Sequence, residues 1–432
     1  MNKMQRKEQL DKVKADDGNI VSRDIPLRYH GESIKVDVYR IPLEDLVYNQ
    51  YNGRIASSVK AYECRNHTLD PENDADRAVI EDLLWKSNKD RNDKTMKSLV
   101  LNGQLRNGIV TADGVIIDGN RRASLLNCAC GKTVREKNHW SSSEVDKCRF
   151  FNAVILPKSA TSKDIQQLET TYQMGEDEKL DYNPIEKYLK CRDLIDEGFD
   201  ERQIADMMDE TEANVRKWLA TLELMDDYLE HLRYEDMYPM LDQKEDQFLS
   251  LEKGLKDWRG HSALARANWE YEDTDIDDLK MVSFDYIRSG YEGKDFRRIC
   301  KPSTEGSLFQ NKRLWESFSA QHFDSVGYVE EESVEDTIAS HPDVDAVESL
   351  RARDSKWKKS VDKPLKTNFK YSVRRLEEKL DDAAPETTLR KVRDLLDTID
   401  TSQPSFSSSP DVAKLVSEIN KRTYQLKKLL GQ

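Results

Sequence analysis

The chain is 432 residues long, 35% of them charged and 37% apolar, with a formal net charge of −14. That length amounts to two or three domains and can bury sizeable cores, while the absence of any apolar run near ~18 residues argues against a membrane-spanning helix. Scarce Gly (17) and Pro (12) exclude collagen-like repeats and favour long helices over many tight turns.

Residues 1–32 read as a charged, mobile arm. Met1–Asp17 mixes Lys and Arg with Asp and Glu and has no apolar segment, so no signal peptide is expected and the chain is expected in the cytoplasm. Residues 33–158 hold the strand signals: Ile34, Val36 and Val38 alternate with polar residues, Val115–Ile117 follows a D-G turn, and Phe151–Leu156 is an apolar run closed by Pro157. Helical patterns lie between them, so this piece is expected to be α+β. Residues 159–235 read as purely helical, with Asn183-Pro184 suited to a helix start. Residues 236–327 are helix-rich, with Trp258, Trp269 and Trp315 but no recognisable motif. Residues 328–350 carry eight acidic residues and no Lys or Arg, the pattern of a solvated linker. Residues 351–432 begin with ten Lys/Arg against two Asp over Arg351–Leu376, then form two helical stretches split at Thr401–Pro410. The last stretch, Asp411–Leu430, puts Val412, Leu415, Val416, Ile419 and Tyr424 on one face. The expected architecture is an α+β N-terminal domain, an all-α helix-turn-helix domain and a helical C-terminal half.

The six cysteines, at 64, 128, 130, 148, 191 and 300, have no zinc or redox spacing and read as reduced structural thiols. Gly131-Lys132-Thr133 is not a phosphate loop, because Leu126 stands where such a loop needs its first Gly.

Leu101–Asn127 is the most informative segment. An apolar run ends in Asp118-Gly119 and a helical pattern begins at once. A helix N-terminus presents unpaired N–H groups and the positive end of the macrodipole. Gly119 allows close backbone approach, and Arg121 and Arg122 add two guanidinium forks suited to phosphate. The segment reads either as an anion-binding turn or as a solvated helix start.

Phe199–Leu224 has helix-turn-helix spacing. Ile204, Ala205 and Met208 form one stripe, Asp209–Glu212 a turn, and Val215, Trp218, Leu219 and Leu222 a second stripe. Asp209 stands where Gly is common. Thr211 is the expected N-cap, and Asn214, Arg216 and Lys217 lie on the exposed side, where Asn and Arg can read base edges and Lys a phosphate. The alternative is a three-helix packing unit that never meets DNA. Arg351–Leu376, which interleaves Trp357, Phe369 and Tyr371 with its cations, reads equally as a phosphate-tracking stretch or as a solvated helix face.

Four features in order resemble the ParB/sulfiredoxin-like superfamily, specifically ParB-type partition proteins: Ile41-Pro42-Leu43 leading to Asn52-Gly53-Arg54; Gly103–Val110; Asp118–Arg122 followed by Ala123, similar to the G-E-R-R box; and Glu169 with Leu180–Glu186, similar to the E-N-x-x-R…L-x-P-x-E segment. The resemblance covers roughly residues 36–235. It implies a nucleoside triphosphate, usually CTP, bound with Mg²⁺, which gates a clamp on duplex DNA. Gly119, Asn120, Arg121 and Arg122 would form the nucleotide turn, Arg54 would assist and Glu169 would help hold the metal. A homodimer, through the C-terminal stripe, and a partner ATPase are also implied. Asn120 and Thr170 depart from acidic and amide positions tied to hydrolysis, and the Arg of the third box is not evident after an insertion at 175–179, so binding transfers better than turnover. The sulfiredoxin activity needs a reactive Cys at this turn, and none is there. The competing readings are a metal-dependent nuclease or nucleoside triphosphatase, a small-molecule kinase on the same fold, and a protein-interaction module with a vestigial nucleotide site.

Overall fold

The computed structural model describes residues 1–29, 32–175, 183–304 and 306–430. Among the described residues one sheet has five strands: β1 (Ile20–Tyr29), β2 (Glu32–Pro42), β3 (Gly108–Val110), β4 (Ile116–Asp118) and β5 (Phe150–Ile155), in the order β1-β2-β5-β3-β4. β3 and β5 run parallel, and the other pairs are antiparallel. Because side chains alternate across a strand, Phe151, Ala153 and Ile155 face one core while Val154 faces another. The larger core is covered by five helices: α1 (Lys3–Ala15), α2 (Ala56–Glu63), α3 (Asp74–Lys86), α4 (Lys89–Asn102) and α5 (Asn120–Cys130). The smaller one contains Leu168 of α6 (Ser162–Thr170).

Residues 1–29, the described part of the stretch expected as a mobile arm, are folded. Leu10 and Val13 of α1 sit in the core with Ile41 and Leu43, and the buried Arg6 donates to the Asp113 carbonyl and pairs with Glu72 at 2.9 Å. β1 is the sheet edge, where Pro26 removes no needed ladder bond. The register shift between Ser22 and Ile25 accommodates Asp24 at φ +57°. Only two buried apolar residues on a mostly polar helix, and a strand broken by Asp and Pro, left no periodic signal.

The all-α half begins with α7 (Pro184–Asp196), α8 (Glu201–Met208) and α9 (Glu212–Leu232). It continues through α10 (Glu245–Arg259), α11 (Asp273–Arg288), α12 (Lys312–Gly327), the 52-residue α13 (Ala346–Asp397) and α14 (Pro410–Leu429). A single core runs from Ile185 to Leu376, so the boundaries expected at 235, 327 and 350 do not separate cores. The acidic segment 328–350 is not a solvated linker. Val334 and Leu350 are buried in that core, and Glu331 accepts from both terminal nitrogens of the buried Arg288 at 2.6 and 2.9 Å. Arg288 also reaches Asp354 at 2.8 Å. Glu331 supplies the counter-charge for Arg288 and Arg353, cations placed elsewhere in sequence, which a segment-by-segment charge count misses.

All six cysteines are free thiols. No described helix is long and apolar enough to cross a membrane.

A candidate anion-binding cleft and the helix-turn-helix

The strand-turn-helix expected around Gly119 is present. β4 ends at Asp118, Gly119 is left-handed at φ +101° and caps α5, and the helix starts at Asn120. Glycine is required by packing as well as by its φ. A Cβ at position 119 would lie 2.6 Å from Phe151 Cζ, and one at Gly108 would lie 2.4 Å from the same ring. The ring of Phe151 therefore fills the space beneath the turn.

The three polar residues of the turn go separate ways. Asn120 is only 1% exposed: its Nδ2 donates to the Ile116 carbonyl, and its Oδ1 accepts from the Asn49 N–H, both at 2.8 Å. It braces the loop that leads to Asn52-Gly53-Arg54. Arg122 turns toward the sheet edge, donating to Asp118 Oδ2 at 2.6 Å and to the carbonyls of Arg106 and Asn107. It does not join Arg121 on a shared phosphate. Arg121 is steered instead by Asn92, which is fully buried. Asn92 Oδ1 accepts from Arg121 Nε at 2.5 Å, while its Nδ2 donates to the carbonyls of Leu84 and Trp85.

Arg121 and Arg54 meet in a cleft of about 950 Å³ between the α+β unit and the helical half. Ser57, Arg65, Lys86 and Lys89 share its wall, with Arg351 on the opposite side. The capped N-termini of α4 (Asn88) and α7 (Asn183) open into it, each contributing positive dipole potential. Acidic residues lie there too: Asp242 pairs with Arg351 at 3.1 Å, and Asp345 and Glu348 come from α13 and its cap. Such a space, lined by convergent cations and helix N-termini, can hold a polyanion of nucleotide size. Sequence reading found Arg54 and Arg121 but missed Arg65, Lys86, Lys89 and Arg351. These come from segments with no shared motif, and only the packing of two units brings them together.

Glu186, which ends the L-x-P-x-E pattern, is buried at the base of the cleft. It accepts from Ser57 N–H at 3.1 Å and from Ser57 Oγ at 2.5 Å. Residues 180–182 of that pattern lie outside the described residues. Burial pushes the Glu186 carboxyl up to about 7, overriding the Ser57 hydrogen bonds that lower it. Between its ordinary 4.5 and about 7, the unfolded chain is ionised while the folded chain holds the proton. Stability therefore falls by about 3 kcal/mol as pH rises through that window and is level above it. Glu186→Gln keeps an acceptor for Ser57 and removes this slope, measurable by urea unfolding at about pH 5 and about pH 7.5.

Glu169 does not fit a metal. It is buried, Lys190 Nζ lies 2.8 Å from its Oε2, and the Asn49 amide donates to its Oε1 at 3.0 Å. The lysine supplies the positive charge a divalent ion would bring, and an N–H donor faces the other oxygen. Among the described residues no group of three or more His, Cys, Asp or Glu could hold a metal ion. Expectation and structure differ because the counter-ion, Lys190, sits on α7, 21 residues downstream and within no motif.

The two helices expected around Asp209 are present as α8 and α9, although Leu222 of the expected second stripe packs in the larger helical core. Ile204, Ala205, Met208 and Val215 share one small core. Asp209 is left-handed at φ +52°, a conformation Asp tolerates better than most residues, so glycine is dispensable there. Thr211 caps α9, accepting from the Asn214 N–H at 3.2 Å. Trp218 is half-buried, stacked on Tyr188 at 5.9 Å with Lys187 over its ring. Arg216 and Lys217 are exposed, and Arg216 contacts Glu201 at 3.4 Å and Glu212 at 3.7 Å. The Asn214 side-chain amide donates to Glu210 at 3.1 Å. At the surface such ion pairs are weak enough for phosphate to displace them.

Compared with known proteins, the chain matches no family model, no curated protein and no solved structure.

Proposed function

We propose that this chain is a ParB-like, nucleotide-responsive DNA-binding protein. The cleft at Arg54 and Arg121 takes a nucleoside triphosphate, with CTP the first candidate, and the second helix of the helix-turn-helix contacts duplex DNA. The observation that carries the nucleotide half is the convergence of Arg54 and Arg121, 67 positions apart, on one cleft with Arg65 and Lys89. Arg54 and Arg121 lie in the segments that resemble the family's nucleotide boxes. The assignment is narrower than the motif implies. Arg121 holds phosphate, Arg122 and Asn120 hold the turn in shape, and no step passes through a metal at Glu169. Binding rather than turnover is the proposed activity.

Calorimetric titration with CTP, ATP and GTP, with and without Mg²⁺, tests this directly. Arg121→Ala and Arg54→Ala each lose about 1.5–3 kcal/mol of affinity, the range for a charged hydrogen-bonding partner. Arg122→Ala loses affinity only through the turn and lowers thermal stability in parallel. No heat with any nucleotide sinks the nucleotide half.

The DNA half is supported by Thr211, Asn214, Arg216 and Lys217 falling on the first turns of α9 beside a left-handed Asp209. Arg216→Ala weakens site-specific DNA binding by about 1–3 kcal/mol and Lys217→Ala by less, read by gel shift at fixed salt. A C-terminal homodimer belongs to the same proposal. The stripe Leu415, Val416, Ile419 and Tyr424 lies on α14, which has no buried residue. A partner ATPase remains part of it on the resemblance alone.

A further inference from the structure

The Arg351–Leu376 stretch, with ten cations against two Asp, carries +8, so the rest of the chain carries −22. Within α13 the two faces separate cleanly. Val361, Leu365, Phe369, Val373 and Leu376 are buried against the helical core. On the opposite side Lys356, Lys359, Lys363, Lys366, Lys370 and Arg374 recur every three or four residues, all exposed. That spacing lines them up on one helix face. Lys366 pairs with Asp362 and Arg374 with Glu378. Lys356, Lys359, Lys363 and Lys370 have no ion pair among the described residues. Cations stacked at this spacing repel one another, and a helix anchored by its buried stripe cannot move them apart.

We infer that this stripe on α13 is a second, sequence-independent DNA contact that tracks the phosphate backbone of a duplex. From Lys356 to Arg374, eighteen helical steps span about 27 Å, the length of about eight base pairs. Charge complementarity selects a phosphate backbone. The duplex form follows from the aromatics. Trp357 and Phe369 are in the core, so the exposed face lacks the stacking platform that single strands require; Tyr371 is exposed, with Arg375 over its ring. The contact rests on the DNA-binding half of the reading above and does not involve α9.

Fluorescence anisotropy of the full chain with a labelled duplex of about 20 base pairs and unrelated sequence, at 50–200 mM KCl, tests it. The K356A/K359A/K363A/K370A variant is expected to lower the slope of log affinity against log salt by about 3.6, at about 0.9 per phosphate. It also binds at least about tenfold more weakly at low salt, whereas the fourfold Lys→Arg variant keeps both properties. All four side chains are exposed, so an unchanged thermal melt shows the fold intact. R216A/K217A, measured alongside, separates the two proposals: on this unrelated sequence, loss in the stripe variant with none in R216A/K217A upholds the stripe as a contact independent of α9. An unchanged slope and affinity in the Lys→Ala variant overturns the stripe, as does no binding by the parent chain at 50 mM KCl. Binding to polyglutamate that the Lys→Ala variant loses equally assigns the stripe to an acidic protein and also overturns it.

Discussion

Replacing Lys190 by Met lowers the free energy of unfolding by about 3–5 kcal/mol, read by urea denaturation near neutral pH. Glu169 and Lys190 form an ion pair with side chains only 2% and 6% exposed, so removing the ammonium leaves a carboxylate buried without its counter-charge. Gln166, which accepts from Lys190 Nζ at 2.5 Å, loses a partner as well. Glu169→Gln combined with Lys190→Met recovers most of the loss, because neither buried charge then remains. The pair also discriminates between two roles for Glu169. If the carboxylate served a divalent ion, Mg²⁺ would restore stability to Lys190→Met. The expected result is that Mg²⁺ does not, because the Asn49 amide donates to the remaining oxygen.

Gly119→Ala lowers stability by about 2–5 kcal/mol through two independent effects. The left-handed backbone at φ +101° disfavours any Cβ by roughly 1–2 kcal/mol, and the new methyl lies 2.6 Å from Phe151 Cζ, an overpacking that adds about 1–3 kcal/mol. Adding Phe151→Leu to Gly119→Ala relieves the second effect at a cavity cost of its own, so thermal melts of both single variants and the double variant separate the two effects. The same substitution displaces the start of α5. Arg121, the second residue of that helix, then leaves its hydrogen bond to Asn92. Nucleotide affinity is expected to fall with stability in Gly119→Ala and to recover partly in the double variant. A variant that melts normally yet loses nucleotide would mean that the glycine admits a ligand rather than a phenylalanine ring.

Much of this architecture is legible in local chemistry. The alternation of Ile34, Val36 and Val38 is β2, Asn183-Pro184 starts α7, and the Thr211 cap and Val215 stripe are where the spacing puts them. These features depend on residues within a few positions of one another, so periodicity and capping suffice to find them. The basic stretch at 351–376 was open between two readings because charge and apolar spacing superpose on one helix. Burial of Trp357 and Phe369 shows that two of its three aromatics belong to the core, while Tyr371 and the lysines belong to the surface.

By itself, the sequence determined the α+β-then-helical order, the strand-turn-helix at Gly119 and the helix pair on either side of Asp209. Only the tertiary structure decided which charges are working partners. Arg121 opens onto the cleft because the buried Asn92 orients it, and Arg122 is held by Asp118 on the other side. Glu169 is neutralised by Lys190, and the acidic 328–350 segment is folded because Glu331 meets Arg288. The reason is physical. Backbone pattern is set by near neighbours, but a charge is satisfied by whatever lies within a few ångströms in space, and such a partner can stand 109 positions away along the chain, as Asp242 does from Arg351.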